Sequence, residues 1–164
     1  MYVEKILSIL KLFREKNIDY ALVGGLSGII HGSPYTTPEI EFVISTDPRK
    51  IEKYLERLGW KKENDYYIHK TLKIPLKLYT DYRGFNLNKN VKIVKAKLRN
   101  NEIKVNSPED YVITTAKGGS LEELHRGIAV LIANKKSLDR DYLIRRAGEE
   151  GVKERILFIL NKIL

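Results

Sequence analysis

Apolar residues at Val3, Ile6, Leu7, Leu10 and Phe13 recur every three or four positions, so the chain opens with an amphipathic helix ending near Asn17. Tyr20-Ala21-Leu22-Val23 is a short apolar run that reads as a buried strand, broken by Gly24-Gly25. A short helix follows over Leu26 to His31 and stops at Gly32-Ser33-Pro34. Glu39 to Ser45 begins with alternating charged and apolar residues, the period of a strand. Asp47-Pro48 joins a capping carboxylate to a proline in the first helical position, Ile51, Leu55 and Leu58 give the buried face, and Gly59 is the stop. Four β-rich runs fill the middle: Tyr66 to Lys70, Leu72 to Thr80, Val91 to Leu98 and Glu102 to Val105. Asn100-Asn101 reads as the hairpin turn between the last two, and Pro75 argues for an edge or a bulge. From Ser107-Pro108 the period becomes helical, and Ser120 with Glu123 forms a capping box. Helices are expected over Leu121 to Asn134, Asp139 to Ala147 and Val152 to Ile163. The order implies an α+β fold, a small mixed sheet flanked by helices with a helical C-terminal tail. The expected division is an α/β core over 1–106 and a helical segment over 107–164 packed on it.

Composition narrows the function. The 164 residues contain no cysteine, which excludes a disulfide framework, a thiolate metal site and a cysteine nucleophile. No apolar run approaches the roughly 18 residues of a membrane span. The start MYVEK has neither a basic opening nor an apolar block, so a cytoplasmic protein without a membrane partner is the expectation. Net charge is +9, and its placement is uneven. Between Lys61 and Lys104 stand 12 basic and 4 acidic residues, against 18 and 17 in the remainder. This stretch suggests a nucleotide or RNA partner, with Arg83, Lys89, Lys92, Lys95, Lys97 and Arg99 as contacts. Trp60, Tyr66, Tyr67, Tyr79, Tyr82 and Phe85 interleave with it and offer stacking surfaces, although strands also favour such rings for packing. Abundant Lys, Glu, Ile and Tyr resembles the composition of heat-adapted proteins, for which a lysine-rich solvated surface is the bland reading.

Two segments could carry chemistry. Gly24-Gly25-Leu26-Ser27 lies between a strand and a helix, where backbone N–H groups can meet a phosphate; the alternative is a plain structural turn. Glu39 and Glu41 are two apart on a strand and share a face. Paired carboxylates repel unless a cation lies between them, and Mg²⁺ is the functional candidate. A solvent-facing strand with Ile40 and Phe42 buried behind it is the alternative.

Read together, GGLSGIIHGSPYTTPEIEF resembles the nucleotidyltransferase superfamily, kin of DNA polymerase β, in its small stand-alone archaeal and bacterial members. Those proteins show a GG-x-A-x-x-x-H-G stretch, an arginine, a threonine and D-x-D. The resemblance extends over about residues 17 to 147, through Leu76 to Asp81, Ser107-Pro108-Glu109-Asp110 with Lys117, and Leu138-Asp139 through Leu143. It implies nucleotide contacts at Gly24, Gly25, Ser27 and Lys117, and Mg²⁺ held by Glu39 and Glu41 in an active enzyme. The departures are equally specific. D-x-D is Glu39-x-Glu41, the arginine is Tyr35, and the third carboxylate falls on Lys77. His125-Arg126-Gly127 stands where relatives often carry an acidic cluster. A lysine among metal ligands repels the metal and neutralises the glutamates in its place.

Three readings follow. The chain is a catalytically impaired domain that binds nucleotide or RNA through a basic face; an active Mg²⁺-dependent enzyme moving an NMP to an RNA or protein hydroxyl, with Asp81 as the missing acid; or a structural subunit in a homo-oligomer or beside a partner protein. Because the resemblance puts Leu76-Lys77-Leu78 on the strand that carries the third acid, it implies the Lys77 ammonium beside Glu39 or Glu41. His31 is expected to bond nearby backbone, and no histidine is assigned as ligand or base.

Overall fold

A computed structural model describes residues 2–163. Its seven helices are α1 (Tyr2–Glu15), α2 (Gly24–Ile30), α3 (Glu52–Arg57), α4 (Pro108–Gly118), α5 (Leu121–Ala133), α6 (Arg140–Glu149) and α7 (Lys153–Ile163). Its strands are β1 (Tyr20–Val23), β2 (Ile40–Ile44), β3 (Trp60–Glu63), β4 (Tyr66–His69), β5 (Pro75–Tyr79), β6 (Ile93–Leu98) and β7 (Asn101–Asn106). They form one mixed seven-stranded sheet in the order β3-β4-β5-β2-β1-β7-β6. β5 runs parallel to β2 and β7 parallel to β1, while the other pairs are antiparallel.

Strand alternation sorts the side chains. Leu22, Ile40, Phe42, Ile44, Leu76 and Leu78 face a core shared with Ile6, Ile9, Phe13 and Leu55 of α1 and α3. Ala21, Val23 and Val43 face the other way and pack on Phe85. The intervening positions Glu41, Lys77 and Tyr79 share that second face. Helices α4 to α7 hold a separate apolar cluster around Tyr111, Val112, Val130, Leu131 and Leu143.

Local signals explain the helix starts. Ser107 accepts from the Asp110 N–H at 3.1 Å, and Ser120 from the Glu123 N–H at 3.1 Å. Asp47 likewise accepts from the Arg49 N–H, but the turn it caps is a 3₁₀ turn over Pro48–Lys50 that leads into α3. Several expectations are corrected. Gly24 and Gly25 form the first turn of α2 and do not precede it. The strand β3 went unrecognised because WKKE exposes three charged residues and buries only Trp60. The hairpin turn lies at Arg99-Asn100, where Arg99 takes φ 54°. Pro75 is the first residue of an interior strand; its missing N–H falls at the start of the ladder.

Among the described residues, no helix is long and apolar enough to cross a membrane.

Candidate functional site

The second sheet face and the helical segment enclose a cleft of about 220 Å³. Gly24, Gly25, Thr37, Glu39, Glu41, Lys77, Tyr79, Tyr82 and Arg83 line the sheet side. Tyr111, Thr114 and Thr115 of α4, with Glu123 and Arg126 of α5, line the opposite wall.

Glu41 is 7% exposed and stands at the centre of the sheet wall. Its Oε1 accepts from the Tyr79 hydroxyl at 3.0 Å, and its carboxylate also accepts from the Gly25 N–H. Gly24 has φ 70°, and a Cβ there would collide with the Glu41 carboxylate. Gly24 is therefore glycine for two reasons, backbone conformation and the room its neighbour requires. Burial raises the Glu41 pKa above 4.5 and the Glu39 charge adds to the rise, while the Tyr79 hydrogen bond, Lys77 and the Gly25 N–H oppose it.

Lys77 is the direct register partner of Glu41 across β2 and β5. Its ammonium lies 3.0 Å from Glu39 Oε1, as the resemblance implies. Partial burial works against the Lys77 charge, but the Glu39 hydrogen bond and the charges of Glu39 and Glu41 hold its pKa above 10.5.

These residues do not fit Mg²⁺. The ion needs several oxygens in a near-octahedral shell at about 2.0–2.1 Å. Here one carboxylate pairs with an ammonium, and the other is held by a hydroxyl and a backbone N–H. No group of three or more His, Asp or Glu that could hold a metal occurs among the described residues. Asp81, the other candidate acid, is not among the residues that line the cleft. Its carboxylate accepts from the Gly84 N–H at 3.0 Å and from Asn86 Nδ2 at 2.8 Å, stabilising the turn after β5.

Two guanidiniums flank the cleft, Arg83 from the turn after β5 and Arg126 from α5. Arg83 donates to Glu123 and to the Thr114 carbonyl. Arg126 donates to Glu122 at 2.7 Å and to the Thr36 carbonyl at 3.3 Å, and lies 5.9 Å from the Tyr35 ring. Its buried Nε has no hydrogen-bond partner among the described residues. Sequence reasoning missed this role for Arg126, whose only signal was a cation in the helix facing the glycine turn.

Other residues singled out from the sequence lie elsewhere. The Ser27 hydroxyl is fully buried and donates to Asn106 Oδ1, tying α2 to β7. Lys117 pairs with Glu150 at 2.9 Å, outside the cleft. His31 Nε2 donates to the Asn106 carbonyl at 2.6 Å; burial holds its pKa below 6.5 against the raising effect of that bond. Most of the basic stretch is ion-paired. Arg83 pairs with Glu123, Lys89 with Glu150, Lys92 with Asp139, Lys95 with Glu102 and Arg99 with Glu4, and of the six only Lys97 lacks an ion pair among the described residues. Trp60, Tyr67 and Phe85 are core residues, whereas Tyr79 and Tyr82 reach the cleft.

No protein-family model and no curated protein matches this sequence. Solved structures do. The chain resembles the antibiotic-resistance factor ANT(2'')-Ia in solution, with a TM-score of 0.63, 14% identity, and 98% of this chain and 94% of that one covered. It resembles an antigenic nucleotidyltransferase-like protein from Paracoccidioides brasiliensis at 0.61 and 16% identity, covering 97% and 92%. It also resembles the lincosamide antibiotic adenylyltransferase LnuA in its lincomycin-bound form at 0.59 and 14%, covering 77% and 94%. The chain has the nucleotidyltransferase fold.

Proposed function

We propose that this protein is a nucleotidyltransferase-fold protein without metal-dependent transfer, which binds the phosphate end of a nucleotide in its cleft. The observation that carries the reading is the Lys77 ammonium 3.0 Å from Glu39, in register with Glu41, so that a resident cation neutralises the two acids. The Gly25 N–H is engaged by Glu41, so the anion contacts come from Arg83 on the sheet side and Arg126 on the helical wall. Arg126 Nε is an unused buried donor there. A cleft of about 220 Å³ takes phosphates and leaves base and sugar outside it, since whole drug-sized ligands occupy roughly 300–1,000 Å³. The division at 106/107 is part of the same reading, because it puts the acids and Lys77 in the core and Arg126 in the helical segment.

Calorimetric titration with ATP in EDTA tests it, beside a labelled-nucleotide transfer assay with Mg²⁺. Binding without metal, weakened at least fivefold in Arg126→Gln, and no transfer are expected. Mg²⁺-dependent transfer by the wild type that is lost in Glu41→Gln would overturn the reading in favour of an active enzyme.

A further inference from the structure

On the far side of the sheet from the cleft, the end of α1 meets α3 in a groove of about 420 Å³. Tyr54 lies in it, and three cations gather on its ring. Lys16 Nζ is 4.0 Å from the ring centroid, Lys53 Nζ 5.1 Å and the Arg57 guanidinium carbon 5.6 Å. Attraction to the ring holds them together. Among the described residues, no carboxylate lies within 4.0 Å of any of the three. Glu15, also in the groove, is 3.9 Å from Lys11 instead, and that pair is well exposed. Lys16, Lys53 and Arg57 are themselves exposed.

This differs from the basic stretch the sequence points to, where acids pair with five of the six named cations, four of them from outside the stretch and one, Glu102, from the adjoining strand. Three like charges around one ring repel, and an anion entering the groove removes that repulsion. The phenol senses the field: the hydrogen bond and charge of Lys16, with the charge of Lys53, hold the Tyr54 pKa below 10.0. Leu12 and Leu58 add apolar floor beside the ring. Cations interleaved with an aromatic ring in an open groove match a single nucleic-acid strand, whose phosphates take the charges while its bases meet apolar and aromatic surface. An acidic peptide offers charge without the flat apolar partner.

We infer that the α1–α3 groove, lined by Lys16, Arg57 and Tyr54 with Lys53 beside the ring, is a binding surface for the phosphate backbone of a nucleic-acid single strand. It is separate from the cleft and needs neither metal nor nucleotide.

Fluorescence anisotropy with a labelled oligouridylate, in EDTA and across a salt series, tests this. Three phosphate contacts on a single strand give a log–log salt slope of about −2, so affinity falls roughly 20-fold between 50 and 200 mM salt. Lys16→Glu/Lys53→Glu/Arg57→Glu is expected to lose more than tenfold of the affinity at low salt. Lys92→Glu/Lys95→Glu/Lys97→Glu changes net charge equally and should lose less than threefold. The neutral triple Lys16→Gln/Lys53→Gln/Arg57→Gln should flatten the slope toward zero, and circular dichroism confirms that each variant is folded. Equal losses in the two charge-matched triples overturn the inference, as does binding of labelled polyglutamate as tight as that of the RNA.

Discussion

Lys77→Ala is the most direct perturbation of the cleft. It deletes the ammonium 3.0 Å from Glu39 and leaves two carboxylates on one sheet face. At that separation and an effective dielectric of about 20, the gross Coulomb attraction is about 5 kcal/mol. The side chains are 33% and 32% exposed, so solvent screening and side-chain ordering offset most of it. Fully exposed pairs contribute roughly 0.2–1 kcal/mol, and removing one member of a buried pair costs roughly 3–5. An intermediate site implies a loss of about 1.5 kcal/mol, or about 3–6 °C in Tm for a domain of this size. The pH dependence has a definite sign. The folded Lys77 pKa lies above the unfolded value of 10.5, so its contribution is complete below that pH and disappears as pH rises through the folded value. The assay is thermal and urea unfolding of wild type, Lys77→Ala, Glu39→Ala and the double variant, at neutral and alkaline pH. A coupling energy near 1 kcal/mol at neutral pH that declines above the Lys77 range is expected. A coupling below about 0.3 kcal/mol, or a Lys77→Ala variant more stable than wild type, would refute the electrostatic account.

Other outcomes follow from the same geometry. Glu41→Gln should stabilise the protein at pH 7: the folded pKa is raised, so ionising the carboxylate opposes folding above that value, and urea midpoints should converge with wild type below about pH 4.5. Arg146→Ala should cost about 3–5 kcal/mol in urea unfolding, because Arg146 is 1% exposed and its loss strands the fully buried Asp110 that it bonds at 3.0 Å. Ser27→Ala should cost about 1–2 kcal/mol by leaving Asn106 Oδ1 without its donor, with unchanged ATP affinity by calorimetry. Lys77→Asp should raise Mg²⁺ affinity at least tenfold in the same instrument.

What was legible in the sequence was largely local. The period of Ile6, Leu10 and Phe13, the Ser107-Pro108 cap and the alternation through Glu41 and Phe42 each report a structure formed by neighbours in the chain. The Lys77–Glu39 contact was legible for a different reason: a resemblance supplied the pairing of β5 beside β2, which no spacing in this chain reveals. β3 was missed because an edge strand with three charged side chains carries no apolar alternation. The ion pairs of the basic stretch were not legible, because charge counted along the chain ignores acids brought from far away, such as Glu123, Asp139 and Glu150. Arg126 was read only by what it replaced, since its approach to Thr36 joins positions 90 residues apart.

The pairing of β2 with β5 has a consequence for how the chain finds its structure. Glu41 faces Lys77 in the native register, while Ile40, Phe42, Leu76 and Leu78 point into the core behind them. A slip of one residue in β5 would turn Lys77 in among those apolar side chains and carry Leu76 and Leu78 out into the cleft. A desolvated lone ammonium costs several kcal/mol, so the misaligned sheet is disfavoured by that amount. Lys77 thus opposes a slipped register as well as pairing with Glu39, and variants with an apolar residue there should populate misregistered, aggregation-prone species beyond what their loss of stability accounts for.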